Sequence, residues 1–178
     1  MKKVIIGLII FILLVIAAAF QWNKIKNNME DKLEESTIED SNEITKFKVD
    51  SVNGKENGQI EVSIELLNDS NFVAANFEFE YDGTSIAYEG YVLQNSVESA
   101  AMKLVNNDKE NSKILMGFVA DPTKKDKTFK AGKMITLNFK IKSKKEEKIN
   151  PKLLCTTLKD ENGGDIKFNI EQGSIEIE

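Results

Sequence analysis

Carboxylates are the only side chains here with the numbers and positions for acid–base chemistry: 29 Asp and Glu among 178 residues. Asp82 in "YDGTS" and Asp121 in "VADPT" each follow an apolar stretch, and as a pair they raise the question of glycoside hydrolysis. That reaction needs two carboxyl groups about 5 Å or 6.5–9.5 Å apart, and nothing in the sequence holds these two so. Aspartate closing a tight turn with its own side chain accounts for both. The other nucleophile and metal chemistries lack their parts. There is no His, Cys155 is the sole cysteine, and the 24 basic residues are all lysine. A His/Cys metal centre, a Ser-His or Cys-His nucleophile pair and an intrachain disulfide are therefore excluded. Cys155 in "KLLCTTL" reads as a small buried hydrophobe. The sequence reads as a non-enzyme that needs no cofactor.

Two further stretches invite a ligand. In "KDENGGDIKFNIE", Asp160, Asn162, Asp165 and Glu171 resemble a calcium loop, but Gly164 stands at the fifth position, where a side-chain ligand belongs. Asn-Gly and Gly-Gly there predict a hairpin turn instead. Lysines crowd residues 123–148, a pattern that fits either an anionic partner or a solvated sheet edge kept from pairing by its charge. Without Arg or interleaved aromatics, and with a net charge of −5, nucleic acid is not the partner.

The elements that position these residues are strands. Ile60, Val62, Ile64 and Leu66 alternate with Glu61, Ser63 and Glu65; Ile135, Leu137, Phe139 and Ile141 alternate with Thr136, Asn138 and Lys140. In "NFEFEYDG", Phe77, Phe79 and Tyr81 point one way and Asn76, Glu78 and Glu80 the other. "NGKENG", "NDSN", "NNDKENS" and "DENGGD" punctuate the strands as turns. Many short strands without helical periodicity predict an antiparallel β-sandwich or Greek-key barrel. "KILMGFVAD" breaks the alternation, with Ile114, Met116 and Phe118 on one face and Leu115, Gly117 and Val119 on the other. Its second face needs a cover, either from this chain or from a partner. Gly117 marks a bulge or the close approach of another backbone.

The first 43 residues differ. Two lysines precede an apolar run from Val4 to Phe20, and Trp22 follows. Such a run spans about 25 Å as a helix at ~1.5 Å per residue, which predicts a membrane anchor over 1–22 or, with Ala17–Ala19 as a cleavage site, a signal sequence. Lys2 and Lys3 favour a cytoplasmic N-terminus, leaving the remainder outside the cytoplasmic membrane as a single-pass protein, or secreted after cleavage. Residues 23–43 are acidic and nearly devoid of large apolar side chains, the composition of a flexible tether. The β domain is expected over 44–178.

The segments "NGQIEVSIELLNDSNFVAANFEFEYDGTSIAYEGYVLQNS", "KILMGFVADPT", "KAGKMITLNFKIKS" and "LKDENGGDIKFNIEQGSIEI", in that order, resemble the cohesin family over roughly residues 47–178. The resemblance implies a jelly-roll sandwich of about nine strands that binds without catalysing, docking a calcium-loaded dockerin module. It places the docking face on the outward side of the Tyr-Asp strand and the central strand: Ala74, Asn76, Glu78, Glu80, Leu115, Gly117, Val119 and Asp121. Asn76 stands where the family carries a contacting polar residue, and Asp121 where a contacting acid follows the central strand. This sequence departs from the family at Gly83, where "YDP" is usual, and at Ala74, where many dockerin-binding members carry Asn. Two other functions stay open: binding of a carbohydrate or wall polymer, with Tyr88 and Tyr91 as the candidate platforms, and a structural envelope role through edge-strand pairing.

Overall fold

The computed structural model describes residues 44–98, 100–124, 128–142 and 147–178. The predicted anchor and tether lie outside them, and no helix among the described residues is long and apolar enough to cross a membrane. Among the described residues there are twelve strands and one short helix: β1 (Thr45–Val49), β2 (Val52–Gly54), β3 (Gln59–Leu66), β4 (Ala74–Glu80), β5 (Ile86–Leu93), α1 (Asn95–Glu98), β6 (Met102–Asp108), β7 (Lys113–Val119), β8 (Gly132–Ile141), β9 (Lys148–Ile149), β10 (Lys152–Lys159), β11 (Phe168–Glu171) and β12 (Ile175–Ile177).

Two sheets face each other, one ordered β11-β1-β3-β8-β5 and the other β10-β4-β7-β6, with a small third sheet β2-β12-β9. The strand count exceeds the expected nine in part because β2 and β9, three and two residues long, are too short to show a period, whereas the equally short β12 keeps the alternation of Ile175 and Ile177. Nor is the sandwich wholly antiparallel: β1 pairs with β11, and β2 with β12, in parallel. The chain's last strands return beside its first, and so long a connection permits either direction.

The period-two residues meet between the sheets. Phe47, Val62, Ile64, Leu137 and Phe139 on one side and Phe77, Phe79, Ile114 and Phe118 on the other are all essentially inaccessible. Phe47 meets Phe77 edge-on at 5.0 Å between ring centres, and Phe79 meets Phe139 at 6.0 Å, so both contacts join the layers. Burying each such ring stabilises the fold by roughly 1.5–3 kcal/mol. Phe72 and Phe129 stack at 4.3 Å and close one end. Thr45 and Ser70, buried there, satisfy each other at 2.7 Å.

Two local expectations change. The 160–165 turn is tight, with a bridge between Lys159 and Asp165 and a left-handed Gly163 at φ +81. Yet it joins no hairpin: β10 belongs to the four-stranded sheet, whereas β11 crosses to the five-stranded one. Glycines in a turn report its curvature but not which sheet the next strand enters. Cys155 is half-buried rather than buried, because it lies on the edge strand β10 at a register break before Thr157.

Candidate functional site

Strand register turns the outer face of the four-stranded sheet into four rows of side chains. In order across β10, β4, β7 and β6, these are Lys159–Ala74–Val119–Met102, Thr157–Asn76–Gly117–Leu104, Leu154–Glu78–Leu115–Asn106 and Lys152–Glu80–Lys113–Asp108. Directly opposed residues of neighbouring strands share a face, so each row is a contiguous strip. Seven of the eight sequence-predicted residues fall in these rows.

The apolar end is open to solvent. Met102 is 61% exposed, Leu104 59%, Val119 38% and Leu115 37%. Isolated exposed apolar residues are ordinary, but four on adjacent strands make a patch. The cover expected for Leu115 and Val119 is thus absent among the described residues. Met102 and Leu104 escape a sequence reading. "MKLVNNDK" looks like a polar connection, and its strand turns Met102 and Leu104 outward while only Val105 packs against the core.

The opposite end is charged and internally paired. Lys113 Nζ lies 2.9 Å from Glu80 and 3.1 Å from Glu78. Its hydrogen bond holds the Glu80 carboxyl below the usual range, and the two glutamates raise Lys113 in turn. The bottom row alternates in sign, Lys152, Glu80, Lys113, Asp108, and so carries little net field.

Between these ends lies Asn76. It is exposed, and its side-chain amide makes no hydrogen bond among the described residues; its backbone carbonyl accepts Thr156 Oγ1 at 3.3 Å. Gly117 opposite shows neither of the features expected of it. Register runs unbroken past it, so there is no bulge, and the close neighbour is the Asn76 side chain rather than another backbone.

Asp121 stands apart, in the turn after β7. Its carboxylate accepts the Thr123 hydroxyl at 2.7 Å and the Thr123 amide at 2.9 Å, and these bonds keep its pKa low. Asp82 makes the same turn with Thr84, at 2.7 and 2.9 Å. The two acids do not form a catalytic pair. Asp82 follows the end of β4, and Asp121 the end of its antiparallel neighbour β7, so they lie at opposite ends of a seven-residue pairing. At ~3.3 Å per residue that separation is roughly 20 Å, about twice the widest glycosidase spacing. Asp160 likewise spends its carboxylate on backbone amides, Asn162 at 2.8 Å and Gly164 at 2.7 Å, and no cluster of metal-ligating side chains occurs among the described residues. Of the two tyrosines considered as sugar platforms, Tyr88 is half-buried edge-on to Phe139, while Tyr91 is 43% exposed.

A two-sheet jelly roll presenting a broad face, apolar at one end and ion-paired at the other, is the construction of a docking domain. The Cohesin domain family model matches residues 45–177, and the chain belongs to the cohesin family. Solved structures agree on the fold. The cohesin in a type I OlpA cohesin–dockerin complex from Clostridium thermocellum is 16% identical with a TM-score of 0.67, covering 76% of this chain and 99% of that one. The third ScaC cohesin, in complex with the ScaB dockerin from Acetivibrio cellulolyticus, is 21% identical with a TM-score of 0.67, covering 75% and 99%. A non-cellulosomal cohesin from Archaeoglobus fulgidus is 15% identical with a TM-score of 0.61, covering 76% and 91%. No curated protein sequence matches.

Proposed function

We propose that this domain is a non-catalytic docking module that grips a calcium-loaded dockerin through the outer face of the β10-β4-β7-β6 sheet. The observation that carries the reading is the uncovered apolar strip of Met102, Leu104, Leu115 and Val119 beside Asn76. Such a strip supplies the desolvated centre of an interface, and the ion-paired row supplies its polar rim. Family membership and the dockerin complexes of two similar structures support the partner class. In the same reading residues 1–22 anchor the chain in the cytoplasmic membrane and 23–43 hold the domain outside the cell, so the module tethers a secreted partner at the surface.

The test is capture by the purified full chain of calcium-loaded dockerin modules, with calcium removal as control. Binding that is lost both on chelation and in Leu104→Asp supports the proposal. No capture from a broad dockerin panel counts against it.

A further inference from the structure

The row Lys159–Ala74–Val119–Met102 ends at a small pocket. Val73, Ala74, Val119, Ala120 and Pro122 wall it, and Glu161 lies at its rim; its volume is about 250 Å³. That is below the ~300–1,000 Å³ typical of small-molecule sites. It exceeds the ~150 Å³ apolar cavity that is known to accept benzene. The size therefore fits one leucine or phenylalanine side chain, not a free metabolite.

Each wall has a local cause. Position 74 carries only a methyl group, and Ala120 likewise leaves space where a longer side chain would fill it. The Ala120 amide donates to the Val73 carbonyl at 2.8 Å, fixing the floor after β7 has ended. Asp121 closes its turn on Thr123, and this turn sets Pro122 as the far wall. Lys159, beside Ala74, is engaged by Asp165 at 2.7 Å. The pocket opens onto the exposed Val119 and Met102 without an intervening charge in its row.

We infer that the docking face selects its partner by seating one leucine- or phenylalanine-sized side chain in the Val73–Ala74–Val119–Ala120–Pro122 pocket, with Met102 and Leu104 covering the partner residues around it. This rests on the proposed docking face and specifies what that face reads. Ion pairs at the far end neutralise one another, so the discriminating contact is apolar. Asp121 acts as a positioning residue, holding Pro122 in place.

The experiment uses methyl-labelled full chain, titrated with N-acetyl-leucinamide as a stand-in for the partner side chain and N-acetyl-glycinamide as control. Saturable shifts at the Val73 and Val119 methyls with the leucine probe only, lost in Ala74→Leu and weakened several-fold in the isosteric Ala74→Ser, support the inference. Absence of shifts, or shifts that persist in Ala74→Leu, overturn it. In a second arm, Ala74→Leu should weaken capture of a calcium-loaded dockerin at least tenfold. Equal capture by wild type and Ala74→Leu overturns the pocket's role but leaves docking on this face standing. Seating of the leucine probe with no dockerin captured supports the pocket and sinks the dockerin reading.

Discussion

Asn76 and Gly117 face each other across β4 and β7, and a Cβ on Gly117 would lie 3.0 Å from Asn76 Oδ1 and 3.8 Å from Leu104 Cβ. The missing side chain at 117 is what gives the Asn76 amide its resting place at the middle of the face. Gly117→Val should displace that amide and crowd Leu104. Partner affinity is expected to fall about tenfold, ~1.4 kcal/mol, with the melting temperature unchanged or raised because valine favours strands. Calorimetric titration alongside a thermal melt separates the two effects; equal affinity would show that Asn76 is not read by the partner.

Leu104 and Met102 are more exposed than any other large apolar side chain on the face. Replacing either with Asp should cost roughly ten- to a hundredfold in affinity, since desolvated central residues dominate binding energy. Stability should stay within about 0.5 kcal/mol, because neither side chain packs into the core. As the charged end is self-neutralised, raising salt from 50 to 500 mM is expected to change the association rate little.

The Glu80–Lys113 pair gives a pH dependence of known sign. Glu80 has its pKa lowered in the folded state from an ordinary 4.5, so its contribution is present above that value and is lost as pH falls through the folded pKa. Lys113 is raised from 10.5, so its contribution is present below that value and is lost in stronger alkali. The pair therefore supports the fold from about pH 4.5 to 10.5, weakly, given its exposure. In melts taken from pH 6 to 3, Glu80→Gln should lose slightly less melting temperature than wild type.

Cys155, although only half-buried, has its thiol pushed up to about 11 by burial. At pH 7.5 it is protonated and unreactive. Thiol reagents should label it slowly in the native protein and rapidly in denaturant, and fast native labelling would contradict its placement against Phe77 on the core side of β10.

Phe47 is wholly buried and joins the two sheets through Phe77. Phe47→Ala should destabilise the domain by about 3–5 kcal/mol in denaturant unfolding. Binding by the fraction that remains folded should be unaltered, because the docking face lies on the other side of β4.

Strand identity was legible wherever apolar residues alternated with polar ones, as in Ile60–Leu66, Phe77–Phe79 and Ile135–Ile141, because a period of two is imposed by the strand itself. It also told correctly which residues share a face with Leu115 and Val119. Alternation cannot say which face is covered. In β6 the same period places Met102 and Leu104 outward and Val105 inward, and only the position of the second sheet makes that so. Likewise the four rows, the Ala74 pocket and the distance between Asp82 and Asp121 depend on which strands neighbour each other and in what register. Those are long-range pairings, fixed by packing across the sandwich, and no local stretch of sequence contains them.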